Sequence, residues 1–308
     1  MRIFVTGATG FIGSAIVQEL IGAGPKVLGL SHNDASAKAL ANLKVEAHQG
    51  DLKDTDSLAA GARACDGVIH TAFLQDFSDM AGNSETDKRA VEAIGAALAG
   101  SNRPFVIASP IAVVIPGTLA TEDTPGSPKS LGAIRVPSEE AVIALASKGV
   151  RTSIVRLSPA VHDREKQGLV AMLIALSKEK GVSAYVNDGL NRWPAVHRLD
   201  AAHLFVLALE KGSAGARYHA VGEEGVSLRD IAKNIAQHLH LPSAAQSPDE
   251  AAKHFGWLAS FVGADLPASS TKTQKLLGWR PKHPGLLADL DQASAFDDSK
   301  GKMLAHAS

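Results

Sequence analysis

A glycine-rich turn directly after the first apolar segment most constrains the fold of this 308-residue chain. Within the turn, Gly7 permits a sharp bend, Gly10 lets the backbone approach a pyrophosphate, and Gly13 lets the next helix pack closely on the strand. The helix N-terminus then offers N–H groups and a positive dipole end to phosphates. The pattern predicts a dinucleotide site, with a merely tight strand-to-helix turn as the alternative. The expected cofactor contacts here are Gly7, Thr9, Gly10, Phe11, Ile12 and Gly13.

Strand-length apolar segments alternate with longer amphipathic segments through the first half of the chain. The predicted strands read RIFVTG, KVLGLS, VEAHQG, GVIHTAF, PFVIASP and RTSIVRLSP. Strands separated by helices cannot form hairpins, so they predict a parallel sheet covered on both faces. The expected fold class is α/β, a doubly wound Rossmann sheet.

The regular alternation of strands and helices ends after Pro159. From there, helical segments are joined by short strands and by loops rich in glycine, proline and asparagine. We expect a Rossmann domain at 1–160, with returning segments around 199–220. A smaller mixed C-terminal lobe at 161–293 is expected to bind substrate. Residues 294–308 are polar and without periodicity, which predicts a flexible tail.

Composition and charge indicate which kinds of partner the protein can bind. The formal net charge is −1, which gives no electrostatic reason to expect nucleic acid or an anionic membrane surface. No apolar run is long enough to span a bilayer and no signal-peptide pattern opens the chain. A single cysteine, Cys65, excludes an intrachain disulfide and a thiolate metal cluster. We therefore expect a cytoplasmic protein with a small-molecule ligand and no metal.

The end of the second predicted strand bears on the choice of cofactor. An NAD site usually places a carboxylate there for the ribose hydroxyl, whereas an NADP site supplies donors for the 2′-phosphate. Here the position holds Ser31, with His32 beside it and Lys38 in the following helix. This favours NADP(H) over NAD(H), while Asp34 could serve the ribose if the turn is one residue longer.

Asp51 and Leu52 follow the third predicted strand. A carboxylate at that place can accept a hydrogen bond from an adenine amino group. The alternative is that Asp51 is the N-cap of the next helix. Both residues are predicted cofactor contacts.

Four segments at strand ends together resemble an extended short-chain dehydrogenase/reductase: GATGFIG, GDL, His70-Thr71-Ala72, and LSPAV, which contains Ser158. WPAVHRLDAA and LLGW resemble later segments of the same family. The resemblance covers roughly residues 1–290 and implies a nicotinamide lying over the ends of the fourth to sixth strands. It adds His70, Thr71, Ala72 and Ser158 to the cofactor contacts.

The family's catalytic pair, a tyrosine followed four residues later by a lysine, is absent. Those positions fall on Leu131 and Arg135, and leucine cannot transfer a proton. The chain has two tyrosines, Tyr185 and Tyr218, both far downstream. The resemblance is therefore to an atypical member that lacks the Tyr-x-x-x-Lys pair.

Arg135 and Ser109 are the remaining candidates for the catalytic site. Arg135 is always charged, so it can hold the nicotinamide ribose and polarise a substrate oxygen, but it is no practical proton source. Its alternative is an exposed helix residue paired with Glu139 at i,i+4. Ser109 is the hydroxyl nearest the family's serine position. Both residues are also predicted cofactor contacts.

His197 is the predicted proton donor, because histidine titrates near neutral pH and its segment faces the substrate cleft in the resembled fold. A structural histidine is the alternative. Asn191, Arg192 and Trp193 are predicted to bind substrate, with packed core as the alternative for Trp193.

Three functions remain open from the sequence. The leading one is an NADP(H)-dependent oxidoreductase that transfers a hydride to or from a small carbonyl or conjugated substrate. The others are a sugar-type epimerase or dehydratase and a non-catalytic NAD(P)-binding sensor or regulatory protein. Two predicted helices, 85–99 and 134–147, suggest a homodimer by analogy with related folds.

Overall fold

The computed structural model describes residues 1–74, 79–165 and 168–296. Its strands are β1 (Arg2–Thr6), β2 (Lys26–Ser31), β3 (Glu46–Gln49), β4 (Gly67–His70), β5 (Pro104–Pro110), β6 (Arg151–Leu157), β7 (Ala160–His162), β8 (Ser183–Val186), β9 (Arg192–His197), β10 (Ala216–Ala220), β11 (Glu223–Ser227) and β12 (Ser243–Gln246). From residue 297 onward, the predicted flexible tail lies outside the described residues.

The α-helices are α1 (Phe11–Ala23), α2 (Asp34–Asn42), α3 (Thr55–Arg63), α4 (Met80–Leu98), α5 (Val136–Ala146), α6 (Leu169–Lys180), α7 (Arg198–Lys211), α8 (Leu228–Leu239), α9 (Pro248–Phe255), α10 (Ala259–Val262), α11 (Thr271–Leu277) and α12 (Leu286–Leu290). Short 3-10 turns include Ala133–Arg135, directly before α5. Among the residues described, no helix combines the length and the apolar character needed to cross a membrane.

A seven-stranded parallel sheet forms the centre, in the order β10-β6-β5-β4-β1-β2-β3. The predicted α/β Rossmann class is confirmed. The order reverses at β1 and β4, and crevices at the carboxyl ends of such reversals are where ligands bind in this class of fold. The strand at one edge, β10, comes from the later part of the chain, after α7.

Both faces of the sheet are covered by apolar helix surfaces. On one face, buried side chains of α1 and α7 pack against the strands, for example Ile16 and Phe205. On the other face α3, α4 and α5 contribute residues such as Leu58 and Ile94. Burial on both sides explains why the strands read as nearly continuous apolar runs.

The remaining elements form a mixed lobe. It contains a three-stranded sheet, β11-β9-β7, and a two-stranded sheet, β12-β8. Its apolar cluster joins α6, α8, α9 and α12, and the fully buried Trp193 lies inside it. Since β7 follows β6 after two residues and β9 leads into α7, the lobe is tied to the carboxyl end of the central sheet.

A buried ion pair ties α5 to the central sheet. The Arg156 guanidinium on β6 donates two hydrogen bonds to the Glu139 carboxylate, at 2.9 and 2.7 Å. Both side chains are at most 2% exposed. Glu139 is thus committed to Arg156, and the alternative pairing with Arg135 at i,i+4 is wrong.

The contact between Gly13 and the Gly7 carbonyl sets how closely α1 approaches β1. A Cβ at position 13 would lie 1.9 Å from the Gly7 oxygen, which is backbone and cannot move aside cheaply. We expect Gly13→Ala to destabilise the fold by about 1–3 kcal/mol and to weaken dinucleotide binding. Urea unfolding and a cofactor titration measure the two effects.

Gly22 provides the matched control within the same helix, because a Cβ there meets nothing within 4 Å. Gly22→Ala is expected to stabilise the protein by up to about 1 kcal/mol, since alanine is the better helix former. Equal losses in the two variants would contradict the close-approach argument.

Candidate functional site

The glycine turn has the geometry that a bound pyrophosphate requires. Gly7 adopts a positive φ of 69°, and the Gly10 N–H donates to the Gly7 carbonyl at 2.9 Å. Gly10 is the N-cap of α1, and no side chain among the described residues caps this end of the helix. The positive end of α1 therefore points at an exposed turn formed by Thr9 and Gly10.

At the end of β2, Ser31 is fully buried. Its hydroxyl donates to the Asn33 carbonyl at 3.0 Å and contacts the Ser36 hydroxyl at 2.8 Å. Asn33 caps α2 through a bond from the Ser36 N–H. Ser31 thus braces the turn, while His32 and Lys38 are exposed beside it.

After β3, the structure assigns the capping role to a residue that the sequence prediction did not consider. Asp54, not Asp51, is the N-cap of α3, accepting a hydrogen bond from the Ser57 N–H. Asp51 accepts from the Lys53 N–H at 2.8 Å. The N-cap alternative for Asp51 is therefore wrong, and its adenine contact stays a prediction. Leu52 is buried in the core beneath the turn.

At the end of β4, His70 is held through its side chain rather than being exposed at the surface. Its Nδ1 lies 2.7 Å from the Thr6 hydroxyl and its Nε2 lies 3.2 Å from an Asp87 carboxylate oxygen. The Thr71 hydroxyl donates to the Thr6 carbonyl at 2.9 Å. A Cβ on Gly7 would fall 2.7 Å from the Ala72 nitrogen, so the two turns touch.

Arg135 lies in the turn before α5 and is mostly buried, at 13% exposure. One terminal nitrogen, Nη2, donates to the Ala108 carbonyl at 3.0 Å and lies 3.2 Å from the Asp87 carboxylate. The guanidinium also lies over the Phe73 ring, 4.3 Å from its centre. Its Nε is buried and has no hydrogen-bond partner among the described residues.

Ser109 lies on β5, one residue after the carbonyl that accepts from Arg135. Its hydroxyl is buried and has no hydrogen-bond partner within the described part of the chain. A buried polar group left unpaired costs free energy, so each such group in a folded protein calls for an explanation. The structure therefore brings Ser109 and Arg135 together at the carboxyl end of β5.

His197 belongs to a different cluster. Its Nδ1 accepts from the Leu199 N–H at 3.1 Å, so it caps α7, and its Nε2 lies 3.6 Å from Asp289. Burial lowers the pKa of His197, which favours the neutral ring. No hydrogen bond or ion pair among the described residues joins His197 to Arg135 or Ser109. This placement favours the structural alternative.

The cluster around His197 also contains His162 and His283, and it lines a cavity of about 150 Å³. Possible ligand atoms of His197, Asp200 and His283 lie within 4.8 Å of one another. The His197 and His283 rings, however, are stacked 4.5 Å apart at an interplanar angle of 13°. Imidazole lone pairs lie in the ring plane, so these two rings do not converge on one ion. A metal would require one ring to turn.

The predicted substrate residues act mainly as structural contacts. The Trp193 indole is fully buried and donates to the Phe261 carbonyl at 3.0 Å. The Asn191 amide donates to the Val262 and Ala264 carbonyls. Arg192 pairs with Asp265, and its side chain is about half exposed. The core alternative fits Trp193, and substrate contact by the three residues remains a prediction.

Other residues considered for the site also make structural contacts. The Ser158 hydroxyl donates to the Ala220 carbonyl, which joins β6 to β10. Tyr218 is buried, and its hydroxyl accepts from the Ser213 N–H. Leu131, at the family's tyrosine position, packs against the apolar cluster of the lobe. Tyr218 is thus held away from the catalytic position, where Leu131 offers no proton.

Asp87 is the site residue that sequence reasoning missed. It lies on the buried face of α4, between Asn83 and Ala90, at 1% exposure. An aspartate at helical spacing among buried residues was the available signal, because carboxylates are almost never buried without partners.

Comparisons with known proteins agree with this geometry. The sequence profile of the NAD dependent epimerase/dehydratase family matches residues 3–221. An uncharacterised protein of Schizosaccharomyces pombe is 48% identical over 301 residues, which is 96% of this chain and 100% of that one. A sterol-4-alpha-carboxylate 3-dehydrogenase (decarboxylating) of Dictyostelium discoideum is 28% identical, covering 74% of this chain and 73% of its own.

A solved dTDP-glucose 4,6-dehydratase from Streptomyces venezuelae, with NAD bound, superposes with a TM-score of 0.75. The match covers 95% of this chain and 96% of that chain, at 23% identity. At this identity the likeness establishes the shared fold.

The buried His219 on β10 should make the stability of the protein depend on pH. Burial, and then the positive charge of Arg156, lower its pKa from 6.5 to about 4. Between these pH values His219 is protonated in the unfolded chain but neutral in the folded chain. Acidification therefore lowers the free energy of unfolding. This histidine accounts for about 3 kcal/mol of that loss. Urea unfolding across this pH range should show a shallower pH dependence in His219→Gln.

His162 and His197 also have pKa values lowered mainly by burial, so part of the dependence remains in the variant. An unchanged slope in His219→Gln would contradict the assignment.

Proposed function

The chain belongs to the NAD dependent epimerase/dehydratase family, and from that premise we propose that it is an NADP(H)-dependent oxidoreductase. Its substrate is a small carbonyl or conjugated compound, and the usual catalytic tyrosine takes no part. The observation that carries the proposal is a pair of buried groups at the carboxyl end of β5, Arg135 Nε and the Ser109 hydroxyl. Neither has a hydrogen-bond partner among the described residues.

The residues present fit a dinucleotide. Gly7 and Gly13 let the turn after β4 and helix α1 approach the glycine turn more closely than a Cβ would allow. The glycine turn lies at the N-terminus of α1, where no side chain among the described residues caps the helix. β5 lies next to β4 in the sheet. The bound nicotinamide supplies the hydride. The protein contributes binding, orientation and charge.

Arg135 holds the nicotinamide ribose and stabilises negative charge that develops on the substrate oxygen. Ser109 donates a hydrogen bond to the same oxygen or to the ribose. The guanidinium is fixed before the substrate arrives, so little reorganisation accompanies the reaction. Arginine stays charged throughout and supplies no proton, so the oxygen of the reduced substrate takes its proton from solvent water. His197 is engaged as the cap of α7, and the proposal does not depend on it.

NADP(H) is proposed over NAD(H) because the last residue of β2 is Ser31 and not a carboxylate. Ser31 is used internally, while His32 and Lys38 are exposed near the N-terminus of α2. An exposed cation beside a helix N-terminus attracts a phosphate. Asp34, exposed in the first turn of α2, is the residue that would instead support NAD(H).

Cofactor choice is tested by fluorescence titration with NADPH and NADH. We expect tighter binding of NADPH. Removing both donors in His32→Ala/Lys38→Ala should weaken NADPH binding by about tenfold, which corresponds to roughly 1.4 kcal/mol, and leave NADH binding unchanged. Tighter binding of NADH to the wild type would overturn the NADP(H) assignment and point to Asp34.

Catalysis is tested by NADPH oxidation with a panel of aldehydes, ketones and enones. We expect turnover, and a loss of 100-fold or more in Arg135→Ala, on the order of one lost oxyanion donor. Arg89→Ala, at an exposed position on α4, is the matched control and should keep wild-type turnover. Unchanged turnover in Arg135→Ala would overturn the role of Arg135.

The panel also separates the alternative functions. Tight cofactor binding without turnover on any substrate would favour the sensor or regulatory protein. No binding of either cofactor would overturn the proposal as a whole.

A further inference from the structure

The buried carboxylate of Asp87 meets three donors, which come from two separate parts of the chain. On one oxygen, Oδ1, it meets His70 Nε2 from β4 at 3.2 Å. On the other, Oδ2, it accepts from the Ser138 hydroxyl of α5 at 2.6 Å and lies 3.2 Å from Arg135 Nη2. Although burial opposes its ionisation, the positive charge of Arg135 and the hydrogen bond from His70 keep the pKa of Asp87 below its ordinary value.

A directed chain of hydrogen bonds links this carboxylate to the glycine turn. If Asp87 is charged, His70 donates from Nε2 and accepts at Nδ1 from the Thr6 hydroxyl, 2.7 Å away. Thr6 is the last residue of β1 and directly precedes Gly7. With the proton on Nε2, each hydrogen bond in this chain joins one donor to one acceptor.

The Arg135 guanidinium is contacted at one terminal nitrogen and by an aromatic ring. Asp87 and the Ala108 carbonyl bind Nη2, and the Phe73 ring lies beneath the plane. An arginine side chain has several rotatable bonds, and these contacts fix its orientation. The Arg135 Nε, which has no hydrogen-bond partner among the described residues, then keeps a constant position relative to Ser109 and the glycine turn.

We infer that Asp87 is a positioning residue that holds the Arg135 guanidinium at the carboxyl end of β5, and that His70 and Thr6 tie it to the glycine turn. The inference rests on the proposed role of Arg135 toward the nicotinamide. It assigns to Asp87 no contact with the cofactor or the substrate. Asp87 acts only through Arg135.

The test is a double-mutant cycle on NADPH affinity, measured by fluorescence titration with wild type, Asp87→Asn, Arg135→Ala and the double variant. Asp87→Asn is expected to weaken NADPH binding about tenfold in the wild-type background and by less than about twofold in the Arg135→Ala background. Such non-additivity is expected only if the two residues act as one unit. Additive losses would overturn the inference.

Glu139→Gln is the matched control, because Glu139 is also a buried carboxylate paired with an arginine, Arg156. We expect it to lower the thermal unfolding temperature and to leave NADPH affinity within about twofold of wild type. A loss of NADPH affinity equal to that of Asp87→Asn would show a general effect of destabilisation and overturn the inference.

Ser138→Ala keeps the test decisive if Asp87→Asn fails to fold. It removes one donor to Asp87 and leaves the ion pair in place. We expect a smaller loss of NADPH affinity, about threefold, that again vanishes in the Arg135→Ala background. A threefold loss that persists there would contradict the inference.

The outcomes separate the two proposals. If Arg135→Ala itself changes neither NADPH affinity nor turnover, the proposed role of Arg135 fails and that of Asp87 falls with it. If Arg135→Ala weakens NADPH binding but the losses of NADPH affinity are additive, the proposed role of Arg135 is retained and only the inference about Asp87 fails.

Discussion

The close approach of α1 to the first glycine turn is the constraint on which the rest of the site depends. Gly13 lies so near the Gly7 carbonyl that no Cβ fits between them. This contact brings the N-terminus of α1 to the carboxyl end of β1, next to the reversal in strand order. The turns after β4 and β5 lie at the same edge of the sheet, so the glycine turn and the candidate reacting groups lie at one end of the parallel strands.

Leu131 and Arg135 are the residues that we predict at the family's catalytic tyrosine and lysine positions. Leu131 contributes to the apolar cluster of the lobe, and Arg135 is held by Asp87, the Ala108 carbonyl and the Phe73 ring. The carboxylate of Asp87 and the guanidinium of Arg135 neutralise each other, which offsets part of the cost of burying them. Arg135 is thereby held as a fixed positive group at the carboxyl end of β5.

Prediction from sequence succeeded where local pattern and backbone geometry decide the outcome. The six predicted strands and the glycine turn are formed as expected, because alternation of strand and helix leaves few topologies. It failed where several side chains compete for one partner. Glu139 was close enough along α5 to pair with Arg135, but Arg156 from β6 takes both of its oxygens. Likewise Asp54, three residues beyond Asp51, caps α3.

The sequence by itself determined the fold class and the position of the glycine turn between β1 and α1. These follow from composition, from periodicity and from glycine, whose effects act over a few neighbouring residues. Only the tertiary structure decided that Arg135 meets Asp87, that His70 links Thr6 to that carboxylate, and that His197 lies in a separate cluster. The contacts of His70 join residues 17 and 64 positions apart, and such pairing depends on burial and on competition in three dimensions.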